Sequence, residues 1–232
     1  HLVLFQNLLG IDSPGEDLEI LQHAGTMLSI IIFYWKTLLE LATGLLKREK
    51  ESLNTLLCIV LSAIPAAVFY ILMKSRIDNA YGSTAFVGAM LLITGVVLLT
   101  LKFVPHGNKT VRPLNAIIVG IAQAVAILPG ISRSGSTIAC ARMLGITPEK
   151  AASFSFIMSL PLIAGATVLM LLGHTGGVAE PAHVVAFPIT MQLYAFALSS
   201  VVGYFSLKLL VKMIRTGSFW FFGIYCIIAG IA

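Results

Sequence analysis

Charge is what this chain has least of. Only 11% of its 232 residues are Asp, Glu, Lys or Arg, where soluble domains carry about a quarter. That deficit excludes a water-soluble globular domain. Cysteine is too sparse to build anything: Cys58, Cys140 and Cys226 form no CxxC or other ligand spacing, so neither a metal module nor a disulfide framework is indicated. His106, His174 and His183 stand at no ligand spacing either. The chain opens on His1 rather than Met, with no signal peptide and no polar leader, which reads as a start inside a longer sequence.

Apolar sequence is what it has in excess. The chain is 58% hydrophobic with a mean hydropathy of +0.96, and long apolar runs recur from end to end. These features predict an all-α polytopic membrane protein in which residues 1–232 form a single membrane domain. The net charge of +5 then concerns the orientation of loops, and no nucleic-acid partner is implied. Spans are expected over 18–35, 53–73 (with a kink at Pro65), 81–101, 148–172 (with Pro161 inside) and 190–214, and a sixth begins at 219–232. Residues 36–50, with apolar positions at helical spacing before Lys47-Arg48-Glu49-Lys50, suit a helix lying on the membrane surface.

The basic residues test this count. Lys36, Lys47, Arg48, Lys50, Lys102, Lys109, Arg112, Arg142, Lys150, Lys208, Lys212 and Arg215 fall on one side, and only Lys74 and Arg76 on the other. By the positive-inside rule the first set is cytoplasmic, while Asp12, Glu16, Asp17 and Glu180 face out. Arg133 alone belongs to neither set.

Arg133 lies in Leu128-Pro129-Gly130-Ile131-Ser132-Arg133-Ser134-Gly135-Ser136-Thr137, a polar turn between apolar stretches 114–128 and 134–144. Neither stretch reaches the roughly 20 residues a span needs. Two short helices around such a turn predict a re-entrant hairpin. Pro129 and Gly130 stop the first helix and Ser132 or Ser134 caps the second, which puts the arginine among unpaired N–H groups at a positive dipole end. Such a place binds anions, and an intramembrane arginine marks function by default.

A shift of 135 residues lays Leu9-Gly10-Ile11 on Leu144-Gly145-Ile146, span two on span five and span three on span six. This predicts an inverted repeat of a re-entrant helical hairpin plus three transmembrane helices, with repeat one over 1–113 and repeat two over 114–232. The first hairpin would be largely missing, because its counterpart precedes His1.

These residues resemble a known family. Gln123, the stretch Leu128 to Ile138, Leu144-Gly145 and Phe154-Ser155-Phe156 are similar to the second signature of the undecaprenyl-diphosphate phosphatases, also called bacitracin-resistance proteins. His1-Leu2-Val3 with Leu8-Leu9-Gly10, and His23-Ala24-Gly25-Thr26, extend the likeness over essentially the whole chain. The resemblance implies a multi-pass enzyme of the bacterial plasma (inner) membrane that hydrolyses a C55 polyprenyl diphosphate to the monophosphate, with a divalent metal ion such as Mg or Ca. It makes His1 the signature histidine, a general acid or base or the orienter of a serine nucleophile. Two departures stand out: the metal-binding glutamates and the Ser-Ser-Thr of the first signature would precede His1, and Cys226 follows Tyr225 where the family usually has Arg. The isolated chain is therefore expected to be inactive, and a homodimer stays open.

Read as chemistry, the site must join a fixed cation and several N–H donors to a membrane groove. Arg133 supplies the cation, and the 130–136 backbone approaches closely because Gly130 and Gly135 lack side chains. Ser132 joins His1 and Arg133 as a catalytic candidate; Ser132, Ser134 and Thr137 are candidates for phosphate hydrogen bonds, although Ser132 or Ser134 serves equally as a cap, and Gly130, Gly135 and Gln123 join the binding set. Glu19 and Gln22 read as interfacial, with a cavity role for them and for His23 as the alternative. Arg142 reads as a cytoplasmic-side charge. A competing class is an inverted-repeat transporter of an anionic or lipid substrate, or a scaffold that binds lipid without hydrolysis.

Overall fold

The computed structural model describes residues 16–81, 83–171 and 188–231. His1, Leu9-Gly10-Ile11 and the connection around Glu180 lie outside them. The described residues are almost entirely helical, with one isolated bridge between Lys109 and Ile146. In order they form α1 (Glu16–Phe33), α2 (Trp35–Leu46), α3 (Lys50–Tyr81), α4 (Thr84–Thr100), α5 (Pro113–Val125), α6 (Arg133–Met143), α7 (Pro148–Ile157), α8 (Ser159–Leu171), α9 (Ile189–Arg215) and α10 (Phe221–Ile231).

Among the described residues, three stretches are long and apolar enough to cross a membrane: Lys50–Met73, Thr84–Phe103 and Ile189–Arg215. The second, third and fifth expected spans thus stand, and α3 runs on through Pro65 as one helix of 32 residues. The first expected span ends at a corner. Tyr34 separates α1 from α2, and the two helices meet at 76°. No proline or glycine sits at that corner. Tyr34 is buried there, its ring 6.1 Å from that of Phe156 and 4.9 Å from that of Phe33. The fourth expected span is also divided, at Met158, between α7 and α8. Pro161 explains the break, because its ring crowds the carbonyl four residues earlier, at Ile157, and it has no N–H to donate there.

The closest helix pairs meet where side chains are smallest, as membrane helices do when packing rather than water drives association. On α1 and α9, a Cβ at Gly25 would lie 2.7 Å from the Phe196 carbonyl oxygen, and one at Gly203 would lie 2.6 Å from Ser29 Oγ, which donates to the Ser200 carbonyl at 2.7 Å. Gly120 seats α5 on α3, where an added Cβ would be 2.5 Å from the Ser62 carbonyl oxygen. On α4 and α10, Gly88 faces Gly230 and Gly95 faces Gly223.

The basic connections gather at one end, as the charge count requires. Lys109 N–H donates to the Gly145 carbonyl at 3.0 Å, and Thr147 N–H donates to the Lys109 carbonyl at 3.2 Å. Arg215 Nε lies 3.7 Å from Glu149 Oε1, and Lys102 sits 4.9 Å over the Trp220 ring. Arg142 does more than sit on that side: it is buried, and its guanidinium donates to the carbonyls of Val104 and Pro105 at 3.4 and 3.2 Å. It ties the hairpin to the loop after α4.

Candidate active site

The elbow between α5 and α6 follows from its residues in order. Ile131 N–H donates to the Leu128 carbonyl at 3.2 Å, with Pro129 and Gly130 at the corner and Gly130 at φ +95°. Proline then glycine at the two central positions is the signature of a type II turn, whose third residue needs positive φ. Gly130 also presses against α4: a Cβ there would run into the Val87 carbonyl oxygen. Ser132 resolves the alternative left by sequence, since it, and not Ser134, is the N-cap, accepting from Gly135 N–H at 3.1 Å. Helix geometry leaves the Arg133 and Ser134 N–H groups without an intrahelical acceptor.

The hairpin is too short to cross. Its helices have 13 and 11 residues, about 20 and 16 Å at 1.5 Å per residue, against a hydrocarbon core of about 30 Å. Its elbow meets α4 at Val87, Met90 and Thr94. Thr94 lies near the middle of the 20-residue apolar stretch Thr84–Phe103. The arginine therefore stands about halfway along a span.

Arg133 and Ser134 form one wall of a cavity of about 310 Å³. Thr26 and Ile30 of α1, Ser155, Phe156 and Ser159 at the α7–α8 break, and Gly203, Ser206, Leu207 and Leu210 of α9 complete it. One guanidinium, several hydroxyls and an apolar wall fit a phosphorylated head on a greasy tail. A larger cavity of about 440 Å³ lies between α2, α3 and α7, but it presents Glu40, Glu49 and Glu51 with only Lys150 to offset them. Its charge is wrong for a diphosphate.

The expected site residues separate into three groups. Arg133 and Ser134 face the cavity, and Gly130, Ser132 and Gly135 shape the elbow that carries them. Thr137 and Gln123 are buried in packing. Thr137 Oγ1 donates to the Arg133 carbonyl at 2.8 Å and lies 2.6 Å from Ser155 Oγ. Gln123 reaches the Ser62 carbonyl at 3.5 Å between α5 and α3. His1 lies outside the described residues. Gln22 and His23 do not line the cavity, whereas Thr26, one turn further along α1, does. Thr26 stands in the His23-Ala24-Gly25-Thr26 stretch that carries the family likeness, whereas Ser159 and Ser206 are isolated hydroxyls in apolar helices and carry no local signal.

The described residues do not make a divalent-cation site. No group of three or more His, Cys, Asp or Glu among them is placed to hold a metal ion, and the described residues that line the Arg133 cavity include no carboxylate or imidazole. What they offer is one guanidinium beside several hydroxyls.

The model of the family described as bacitracin resistance protein BacA matches residues 1–232. The chain belongs to this family. Among similar proteins, one from Halothermothrix orenii named undecaprenyl-diphosphatase is 37% identical over 234 residues, covering all of this chain and 87% of the relative. Others of the same name come from Desulfatibacillum aliphaticivorans, at 34% identity over 249 residues, and Methanococcus maripaludis, at 35% over 232 residues. Each covers 99% of this chain and 88% of the relative. The family fits the multi-pass architecture, and it favours the hydrolase over the transporter.

Proposed function

We propose that this protein hydrolyses undecaprenyl diphosphate to undecaprenyl phosphate and inorganic phosphate, recycling the lipid carrier of cell-wall synthesis and so conferring bacitracin resistance. The relatives' shared name and the family membership support the reaction. The observation that carries it to this chain is Arg133 on the first turn of α6, facing a hydroxyl-lined cavity at mid-span.

Phosphoryl transfer is mostly positioning and charge stabilisation. In this reading the Arg133 fork holds diphosphate oxygens bidentately and neutralises charge that grows on the transferred group. Ser134 and the first-turn amides of α6 supply further donors. Ile30, Phe156, Leu207 and Leu210 take the first part of the prenyl tail and keep water from the anhydride. Ser132 acts by holding the elbow. His1 serves as acid, base or orienter; a divalent ion would supply Lewis-acid stabilisation, but the described residues around Arg133 hold no carboxylate that would bind it. The bacterial plasma membrane is the corresponding location.

The inverted repeat belongs to the same reading. A shift of 135 residues lays Gly88 on Gly223 and Gly95 on Gly230. The contacts run the other way, Gly88 to Gly230 and Gly95 to Gly223, as a two-fold axis between α4 and α10 would arrange them. This exchange supports two inverted units around that axis.

The test is phosphate release from undecaprenyl diphosphate by the full-length protein in detergent, where no gradient exists. Arg133→Ala should lower the rate by about 10²–10³-fold, while Lys208→Ala, an exposed cation on α9, should leave it unchanged. An Arg133→Ala variant as active as the parent overturns the assignment.

A further inference from the structure

Between Thr84 and Thr100, α4 carries one hydroxyl, Thr94. A lone hydroxyl in the middle of an apolar span costs free energy unless it is hydrogen-bonded. Thr94 is 2% exposed and is not among the residues that line the Arg133 cavity. Its partners are on the elbow. Ser132 N–H donates to Thr94 Oγ1 at 3.1 Å, and the Thr94 hydroxyl lies within reach of the Gly130 carbonyl at 3.3 Å and of the Met90 carbonyl, one turn back on its own helix, at 3.1 Å.

We infer that Thr94 is a positioning residue: its hydroxyl joins the backbone of Gly130 and Ser132 to α4 and so sets where the Arg133 guanidinium stands. The inference rests on Arg133 being the group that binds the diphosphate. The link is short. Arg133 follows Ser132 directly, and Ser132 is both the cap of α6 and the donor to Thr94. On the other side of the turn, Gly130 is wedged against Val87 and Met90 of the same helix. The elbow is therefore gripped by one face of α4, sterically at Gly130 and by hydrogen bond at Ser132. Without the hydroxyl the Ser132 N–H has no acceptor on α4, and the steric contact alone does not set the rotation of the first turn of α6. A displacement of about 1 Å at a group that stabilises a transition state costs on the order of 100-fold in rate. Because the Arg133 fork neutralises charge that grows on the transferred group, a displaced fork should cost kcat more than KM.

The experiment compares Thr94→Val, which keeps the shape without the hydroxyl, with Thr94→Ser, which keeps the hydroxyl. Full-length protein in detergent is assayed with undecaprenyl diphosphate, and backbone amide exchange is followed over residues 128–134. Thr94→Val should lower kcat by about 10-fold or more with KM within about twofold, and should speed exchange of the elbow amides; Thr94→Ser should restore both. Exchange and kcat unchanged in Thr94→Val overturn the proposal. So does a loss confined to KM, or a Thr94→Ser variant as impaired as Thr94→Val. Should Thr94→Val fail to fold, Thr94→Ala takes its place, and parental exchange in that variant overturns the proposal. The exchange reading does not depend on turnover, so failure here is distinguishable from failure of the Arg133 assignment.

Discussion

Gly95 and Gly223 stand so close across the α4–α10 contact that a Cβ on either would lie 2.8 or 2.7 Å from the other's carbonyl oxygen. Ile227 Cγ1 would also lie 2.6 Å from a Cβ at Gly95, and the two carbonyl oxygens, being backbone, cannot swing aside as a side chain can. Gly95→Ala or Gly223→Ala should therefore destabilise the protein by about 1–3 kcal/mol, the usual cost of overpacking. Gly165 of α8 has nothing within 4 Å of an added Cβ, so Gly165→Ala should be neutral or stabilising by up to about 1 kcal/mol through helix propensity. Thermal unfolding in one detergent separates them. If all three variants unfold at the same temperature, close approach is not what holds the pair.

The two left-handed glycines flanking α6 should respond unequally. Gly130 (φ +95°) and Gly145 (φ +83°) both disfavour a side chain, at roughly 1–2 kcal/mol. A Cβ at Gly145 would meet only the Lys109 side chain at 3.4 Å, whereas one at Gly130 would strike the Val87 carbonyl. Gly130→Ala should accordingly lose more stability than Gly145→Ala and also lose phosphate release. Equal midpoints and equal rates for the two would contradict the wedge against α4.

Ser132 can be divided into its two candidate roles by substitution. Ser132→Ala removes the cap and should cost about 1 kcal/mol, while Ser132→Asn, a good cap, should hold stability within a few tenths. Phosphate release should follow the same order, with Asn above Ala. If Ser132→Asn is as stable as the parent yet as inactive as Arg133→Ala, the hydroxyl takes part in the reaction itself.

Arg48 closes α2 at φ 57°, with Glu49 N–H donating to the Gly44 carbonyl at 2.8 Å and Arg48 N–H to the Leu45 carbonyl at 3.0 Å. This is a Schellman ending with a non-glycine residue at the left-handed position. Arg48→Gly should raise stability by about 1 kcal/mol. An unchanged or lower unfolding midpoint would mean that the exposed Arg48 charge contributes more than the backbone strain costs.

Much of this protein could be read without coordinates because the bilayer enforces simple rules. Apolar length marked three of the spans, Lys and Arg marked the connections that meet at one end, and proline, glycine and serine in succession marked the elbow, since each acts on its own backbone. The fold class and the place of Arg133 follow from such local causes. The 76° corner at Tyr34 does not, because burial of that ring against Phe156, over a hundred residues away, sets it. Nor do the roles of Arg142, Thr137 and Gln123: each was polar in an apolar setting, and only packing decided that they bind the protein's own carbonyls and hydroxyls.

The amino-acid order alone determined that the chain lives in a membrane and that one arginine stands at a capped turn, because helix length, charge side and cap chemistry are properties of neighbours in sequence. Tertiary structure alone decided which helices close the cavity around that arginine and which hydroxyl anchors its turn, because Thr26 and Ser206 share a cavity only where Gly25 and Gly203 bring α1 and α9 together, and Thr94 meets the turn only where Gly130 presses on α4.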